Sequence, residues 1–451
     1  MCLLCGTVDS VASVPAEFAK IRRCRLDQSR FGASIQAQEL ERVNHISFSS
    51  SEGGAAIAAH RLHMALNASG VNSIMTVARG QEGPGITTFK PTKGLGRMIQ
   101  REMARSIRRR HEADFSGLIS LGQVRSGLAQ YLNKQPSQIL NLHWVNSDLM
   151  SIREIGNLSH PVVWTMHDMW PFCGVEHYSE GDDWKNGYAT EQDSRASRLN
   201  RRVWKTKQRF WTRPFHLVAP SRWLADCARQ SALTQEWPVS VIPNAIDTDV
   251  WRPTDRDAAR DRLGLPRDSA VIGFGAMGGD SDPRKGFRHL KEALSILKQE
   301  RSDIRVLIFG ADAHEVDLPF PAHFTGQHSV PEELRSVYAC ADVFALPSRQ
   351  DNLPNTGVEA LSCGIPIVGF KIGGLPDLVP NPGCGRLAEP FDARDLADCL
   401  KGVIDDQRSC HVQGQKRDGN AARKHALQSY AMPIVAEQYR RLYETLGSKA
   451  Q

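Results

Sequence analysis

Apolar residues occur along the first half of this chain in short runs, and the segments between the runs include an amphipathic helical pattern. The runs occupy residues 44–48, 71–77, 139–143, 161–167 and 216–220, and the helical pattern occupies residues 55–66. Short apolar runs that alternate with helical segments are typical of a parallel sheet covered by helices on both faces. We therefore predict such a sheet for this half.

A second series of the same kind follows a turn-rich segment at residues 242–253. Its apolar runs occupy residues 270–274, 304–309, 343–346 and 365–370, and an amphipathic helix is predicted at residues 430–446. A chain of 451 residues also exceeds what one hydrophobic core usually supports. The pattern predicts two α/β domains, at residues 43–252 and 253–427, after an N-terminal extension at residues 1–42 that could be mobile.

Composition and charge exclude few classes of function. Hydrophobic residues make up 41% of the chain and charged residues 24%, as in ordinary globular proteins. The formal charge of +6 favours anionic partners such as nucleotide diphosphates or an acidic membrane surface. The ten cysteines lack the spacing of zinc ligands, so we expect free thiols. Neither a membrane span nor a signal peptide is recognisable, so we expect a cytoplasmic protein.

The most informative segment joins two acidic residues to the start of a short helix. Asp351 and Glu359 bracket a turn and the first turn of a helix at residues 357–363, which follows an apolar run. Unpaired backbone N–H groups at a helix start bind anions, here those of Asn355, Thr356 and Gly357. Because carboxylates repel phosphate and suit hydroxyl groups, this combination predicts a pocket for a nucleotide sugar. The alternative is a polar loop followed by an ordinary first-turn acid.

The glycines at 273, 275 and 278 match the dinucleotide fingerprint, which suggests a nicotinamide-dependent oxidoreductase. That fingerprint needs a helix to begin at its third glycine. Here the loop continues, and a helix can begin only near Gly286. We therefore favour a loop that brings Arg284 and Lys285 to a diphosphate, over the alternative of a solvated pair of cations.

Several segments together resemble the family-4 retaining glycosyltransferases, whose signature is an acid, seven residues and a Glu. Asp351 stands where that family more often has Glu. The other matching segments are residues 163–172, 242–247, 282–286 and 324–327. The resemblance extends from about residue 43 to the C-terminus, and it is strongest to the branch that builds colanic acid and other bacterial exopolysaccharides.

The resemblance implies the GT-B architecture, in which two Rossmann-like parallel-sheet domains face an interdomain cleft. A C-terminal helix at residues 428–447 would complete the first domain. For the donor it implies that Lys285 and Arg284 hold the two phosphates and that Glu359 binds the ribose hydroxyls. Asp351 and Asn352 would bind the donor sugar.

On the other side of the cleft, the resemblance implies that His167 reaches the donor sugar and the reacting centre. A histidine at a strand end is otherwise more often structural. Gly53 and Gly54 could let the backbone approach the phosphate or the acceptor, or could form an ordinary turn. Gly326 could contact the base through its backbone. The reaction would retain anomeric configuration and would need no metal or other cofactor.

Two basic segments, at residues 97–110 and 201–213, mix Arg and Lys with apolar residues. Such helices can rest on anionic headgroups, which would bring the cleft to a lipid-linked carbohydrate acceptor at the cytoplasmic face of the inner membrane. A solvated helix face is an equally good explanation, and no motif indicates nucleic acid. A non-catalytic GT-B subunit that binds a nucleotide sugar or a partner enzyme is the second functional interpretation.

Overall fold

The computed structural model describes residues 42–80, 82–137, 139–189, 194–275, 282–310, 317–414, 417 and 420–450. The N-terminal extension predicted at residues 1–42 lies outside these residues except for Arg42, as does Gly278 of the glycine-rich segment.

The described strands of the first half form a seven-stranded sheet in which every pairing is parallel. The strands are β1 Val43–Ser49, β2 Ser73–Arg79, β3 Ile86–Thr88, β4 Ile139–Leu142, β5 Val162–Thr165, β6 His216–Ala219 and β7 Val239–Val241, in the order β3-β2-β1-β4-β5-β6-β7. The helices here are α1 Gly54–Ala68, α2 Leu95–His111, α3 Leu128–Leu132, α4 Ile152–Gly156, α5 Arg195–Phe210 and α6 Arg222–Gln230.

The second half repeats the design with a six-stranded parallel sheet. Its strands are β8 Ala270–Gly275, β9 Ile304–Phe309, β10 Ala322–Phe324, β11 Val343–Leu346, β12 Ile367–Phe370 and β13 Gly385–Ala388, in the order β10-β9-β8-β11-β12-β13. The helices are α7 Arg256–Leu263, α8 Phe287–Leu297, α9 Pro331–Cys340, α10 Asn355–Ser362, α11 Leu375–Leu378, α12 Ala393–Val412, α13 Ala421–Ser429 and α14 Met432–Ala450. The prediction of two Rossmann-like parallel sheets is confirmed, whereas the domain boundaries at 252/253 and 427/428 stay predictions.

The last helix, α14, crosses back to the first sheet. Tyr439 and Tyr443 of α14 are buried among apolar residues of α1 and of the strands β1, β4, β5 and β6. Their hydroxyl groups bond the sheet: Asn141 Nδ2 donates to Tyr443 at 2.7 Å, and Thr165 Oγ1 lies 3.0 Å from the Tyr439 oxygen. The last helix of the described residues therefore packs against the sheet that contains β1.

Candidate functional site

The loops that follow the strands of the two sheets contact one another at the carboxyl ends of the strands, where ligands bind in open α/β sheets. The loop after β11 supplies most of these contacts. Asn352 Nδ2 donates to the Met166 carbonyl at 3.4 Å, and Gln350 Nε2 donates to the Ser179 carbonyl at 3.0 Å. The signature segment thus lies directly against the loop that carries His167.

Lys285 and Asp351, both predicted to bind the donor, form an ion pair with each other. Lys285 Nζ lies 2.8 Å from Asp351 Oδ2, and Ser348 Oγ also donates to that oxygen at 3.4 Å. The carboxylate is nearly buried, whereas the ammonium is about one-third exposed. A cation and an acid that lie 66 positions apart in the sequence therefore meet at the cleft, and each is held in place by the other.

Local backbone geometry fixes the position of Lys285. Lys285 ends a 3₁₀ turn, Pro283–Lys285, that Asp282 caps by accepting a hydrogen bond from the Arg284 N–H at 3.0 Å. Gly286 follows with φ of 69°, and a Cβ atom there would lie 1.8 Å from the Pro347 carbonyl oxygen. Only glycine fits this position, because it tolerates the left-handed backbone and leaves room for the neighbouring loop.

Arg284, the second cation predicted to hold the diphosphate, is bound by neighbouring side chains. Its Nε and Nη2 donate to the Asp282 carboxylate, at 3.2 and 2.7 Å, and the guanidinium carbon lies 5.0 Å from the centre of the Tyr178 ring. Two of its five N–H groups therefore bind Asp282 in the same loop, and the contact with Tyr178 joins the loop after β8 to the loop after β5. Arg284 and Lys285 thus each have a carboxylate partner, and contact of either with a diphosphate stays a prediction.

The side chain of Asn352 is also bound within the protein, and its contact with the donor sugar stays a prediction. Its Oδ1 accepts a hydrogen bond from Ser221 Oγ at 2.6 Å, its Nδ2 donates to the Met166 carbonyl, and the residue is almost fully buried. The side chain fastens α6 and β5 to the signature loop. Asp351, whose Oδ1 accepts from the Asn352 N–H at 3.1 Å, is thereby held at the cleft.

The N-terminal ends of α1 and α10 face each other across the cleft. Asn355 Nδ2 donates to the Gly54 carbonyl at 3.0 Å, and Gly53, with φ of 90°, makes the turn into α1. Within the described residues no group accepts from the backbone N–H of Asn355 or Thr356. The N–H of Gly357 is used, because it donates to the Pro354 carbonyl at 3.0 Å. Two backbone donors, not three, are therefore open, and two helix dipoles make this point favourable for an anion.

Glu359 has a partner that the sequence did not indicate. Its Oε1 accepts a hydrogen bond from Arg61 Nη2 of α1 at 2.6 Å, and its Oε2 accepts from the Tyr338 hydroxyl at 3.1 Å. The side chains of Arg61 and Glu359 are only 15% and 8% exposed. Burial and the neighbouring Glu359 carboxylate raise the pKa of Tyr338 well above its ordinary value. An ion pair between the two halves therefore covers the carboxylate expected to bind ribose.

His167 lies at the end of β5 and belongs to a row of imidazoles. Its Nε2 is 3.0 Å from Nδ1 of His143, and Nε2 of His143 is 2.9 Å from Nδ1 of His45. Burial lowers the pKa of His167 to about 4, so the ring is neutral near pH 7. The next residue, Asp168, is structural, since it accepts from Trp144 Nε1 and from the Trp170 N–H.

Gly326 stands at the edge of the second sheet with φ of 72°, next to β10. Its carbonyl accepts a hydrogen bond from the Gly310 N–H at 2.8 Å, which ties the ends of β9 and β10 together. A Cβ atom at Gly326 would meet nothing within 4 Å, so the face of this loop is open. Contact with a base stays a prediction.

The two basic segments differ from each other. Helix α2 exposes apolar side chains beside its arginines, namely Leu95, Met98, Ile99 and Met103. In contrast, the tryptophans 204 and 211 of the second segment are buried. Lys207 is fully buried there and donates to the carbonyls of Trp170, Cys173 and Gly174. The second segment therefore supports the loop after β5 with its apolar side chains buried, whereas α2 exposes apolar side chains.

No helix within the described residues combines the length and the apolar character needed to cross a bilayer. In the same part of the chain, no three His, Cys, Asp or Glu side chains are grouped so that they could hold a metal ion. The described cysteines are free thiols. The expectation that no metal or cofactor is required stays a prediction.

Two family models match the chain. Residues 271–406 match the family described as "Glycosyl transferases group 1", and residues 52–250 match "Glycosyltransferase Family 4". D-inositol 3-phosphate glycosyltransferase of Mycolicibacterium smegmatis is 33% identical over 181 residues, which are 37% of this chain and 40% of that protein. The enzyme of the same name from Corynebacterium jeikeium is 31% identical over 46% of this chain and 52% of that protein. The chain thus spans about half the length of these curated relatives.

A solved structure agrees in fold. Anabaena HepE, in complex with UDP and glucose, superimposes with a TM-score of 0.61 at 17% identity, over 90% of this chain and 100% of that one. This likeness supports the arrangement of two parallel sheets around a cleft. The family models together match well over half of the chain, and both belong to glycosyltransferases. The chain is therefore a member of the family-4 glycosyltransferases with the GT-B fold.

Proposed function

We propose that this protein transfers a sugar from a nucleotide-sugar donor to a carbohydrate acceptor, with retention of anomeric configuration. One observation carries the proposal: Lys285, the open N–H groups at the start of α10, and the carboxylates of Asp351 and Glu359 lie along one edge of the cleft. Positive groups flanked by two carboxylates suit a diphosphate that has a hydroxyl-bearing sugar on each side. The named ligands of HepE, UDP and glucose, have the same chemistry.

The residues divide the donor between them. Lys285 and the N–H groups of Asn355 and Thr356 hold the diphosphate, and their charge stabilises the leaving group as its negative charge grows. Asp351 accepts hydrogen bonds from the sugar, and Glu359 accepts them from the ribose. Binding therefore exchanges two ion pairs within the protein, Lys285–Asp351 and Arg61–Glu359, for contacts with the donor.

The chemistry needs no nucleophile from the protein. The departing phosphate takes the proton of the acceptor hydroxyl on the same face of the sugar, so the new bond forms on the side from which the old one leaves. Lys285 supplies the charge stabilisation without a metal ion. The protein acts by positioning the reactants and by excluding water from the cleft.

The acceptor is proposed to be a lipid-linked carbohydrate of exopolysaccharide biosynthesis, on the cytoplasmic face of the inner membrane. The exposed apolar residues of α2, which include Met98, Ile99 and Met103, lie among arginines. A helix of this composition binds anionic headgroups with its apolar side chains inserted. Peripheral contact through α2 would bring the cleft to a membrane-bound acceptor.

The test measures nucleoside diphosphate release from UDP-, GDP-, ADP- and dTDP-sugars, after a thermal-shift screen with the same compounds. We expect one base to raise the melting temperature and the matching donor to be consumed. NMR of the product's anomeric centre then reports retention or inversion. If a donor binds but is not consumed with any of the lipid-linked acceptors tested, the result would favour a non-catalytic GT-B subunit. If NAD is the only compound that raises the melting temperature, the result would favour an oxidoreductase.

A further inference from the structure

A row of three histidines runs from the interior of the first sheet to the cleft. His45 lies within β1, His143 follows β4, and His167 follows β5. The ring nitrogens of successive residues are 2.9 and 3.0 Å apart, and successive rings are stacked with centroids 5.2 and 5.3 Å apart. Because β1, β4 and β5 are neighbours in the sheet, the strand order itself builds this row.

The three rings are neutral under ordinary conditions. Burial lowers the pKa of His45 to about 3 and that of His167 to about 4, and it lowers the pKa of His143 well below its ordinary value. The charged and titratable neighbours are Asp168, which faces His167, and His63 of α1, which faces His45. A neutral imidazole has one N–H donor and one acceptor nitrogen. All hydrogen bonds in the row must therefore point in the same direction.

The buried end of the row decides that direction. Nε2 of His45 is buried and has no hydrogen-bond partner among the described residues. If the row pointed inward, this nitrogen would carry an orphaned N–H, and buried N–H groups without a partner are rarer than acceptors without one. The arrangement of lower free energy is the outward one, in which Nε2 of His45 carries no proton and is an unpaired acceptor. His45 Nδ1–H then donates to His143, and His143 Nδ1–H donates to Nε2 of His167.

We propose that His45 and His143 are positioning residues that hold His167 as its Nδ1–H tautomer, so that His167 donates a hydrogen bond to an oxygen atom of the bound nucleotide sugar. This inference rests on the proposed function, because it assumes that the nucleotide sugar occupies the cleft. Nε2 of His167 is engaged by His143, and Nδ1 has no partner within the described residues. His167 therefore offers a donor and cannot act as a general base through either nitrogen.

The tautomer is measurable without any turnover. In the intact protein labelled with ¹⁵N-histidine, long-range ¹H–¹⁵N spectra distinguish an N–H nitrogen from a bare one in each ring, and His167→Gln identifies the His167 signals by their loss. We expect His167 with Nδ1 protonated and Nε2 bare, and the same pattern for His143 and His45. Protonation of Nε2 in His167 would overturn the inference.

Two variants at position 143 then test the positioning role. His143→Asn keeps an N–H donor where Nδ1 was, whereas His143→Leu removes it. We expect His143→Leu to let His167 populate the other tautomer and to lower kcat/KM about tenfold, the value of one hydrogen bond. His143→Asn should keep both the wild-type spectrum and most of the activity. Equal loss in both variants, with an unchanged His167 tautomer, would contradict the proposal.

A third variant controls for loss of a histidine from the same sheet. His216→Gln alters the first residue of β6, at the end of the strand away from the cleft, and it should leave the His167 signals and the activity unchanged.

Different results would contradict the proposed function and the histidine inference. If no donor is consumed by the wild type, the proposed function falls while the tautomer can still be read. If the enzyme is active and His167 carries its proton on Nε2, only the histidine inference falls.

Discussion

The two edges of the cleft use opposite chemistry. The edge built by the first sheet presents neutral imidazole, with His167 at the end of a buried histidine row. The edge built by the second sheet presents charge, in the form of Lys285, Asp351 and Glu359. A charged edge suits the diphosphate and ribose of a donor, and a neutral hydrogen-bonding edge suits sugar hydroxyls.

The difference also concerns what a ligand must displace. On the charged edge both carboxylates already have cationic partners, one from the same half of the molecule and one from α1 in the other half. On the neutral edge Nδ1 of His167 has no partner within the described residues. A donor must therefore compete with ion pairs on the charged edge, whereas on the neutral edge it meets the Nδ1 group of His167 without displacing a partner.

The largest effect is expected from the charged edge. Lys285→Ala should lower nucleoside diphosphate release by about 10²- to 10³-fold, because it removes a cation aimed at the charge of the leaving group. Kinetics with the donor found in the screen measure this loss. The matched control is Lys291→Ala in α8, whose ammonium lies 3.5 Å from the exposed Asp317 carboxylate. A loss below threefold at Lys285, or equal losses at both positions, would remove Lys285 from the site.

The neutral edge should make the protein sensitive to acid. The pKa values of His45 and His167 in the folded protein, about 3 and about 4, lie below the value of about 6.5 for an unfolded chain. As pH falls from 6.5 towards 4, the unfolded chain binds protons that the folded protein does not. The free energy of unfolding should therefore fall, by up to about 1.4 kcal/mol per pH unit for each histidine.

Urea unfolding between pH 7.5 and 5 measures that slope. His45→Asn should reduce it, because one buried neutral histidine is gone. Val43→Ala serves as the control: it shortens a buried side chain of the same strand, so it should lower stability at every pH and keep the slope. An unchanged slope in His45→Asn would mean that His45 binds a proton in the folded protein as easily as in the unfolded chain.

A smaller effect is expected where the two halves meet. Arg61→Ala removes the cationic partner of the buried Glu359 carboxylate and keeps its bond with Tyr338, so it should cost about 1–3 kcal/mol, or a few degrees in melting temperature. The donor should then stabilise the variant more than the wild type, since ribose hydroxyls no longer compete with Arg61.

The matched control is another ion pair between the halves. Arg222→Ala removes the contact with Asp377, in which the arginine side chain is 75% exposed, so we expect a change within about 0.5 kcal/mol. Equal shifts for Arg61→Ala and Arg222→Ala, or a donor-induced stabilisation no larger in Arg61→Ala than in the wild type, would show that Arg61 does not compete for Glu359.

The sequence alone was sufficient for the interior of both sheets. Each of the nine predicted apolar runs became an inner strand, and the predicted late start of the helix after β8 is confirmed, since α8 begins at Phe287. The strands that the pattern did not predict are β3, β7, β10 and β13, which are the edge strands. Edge strands are short and partly exposed, so they lack the continuous apolar run that a doubly covered strand requires.

The candidate site divides in the same way. The segment from Asp351 to Glu359 and the cation at Lys285 were identifiable because a helix start, a loop and charged residues stand close together or fit a known signature. Arg61, His143 and the contacts of Asn352 were not, because their partners lie far away in sequence: Arg61 and Glu359 are 298 positions apart. Local pattern encodes burial and turns, whereas the partner of a side chain depends on which strands become neighbours. The amino-acid sequence by itself thus determined two parallel sheets and one charged loop, and tertiary packing alone decided which charges are paired and which histidine faces the cleft.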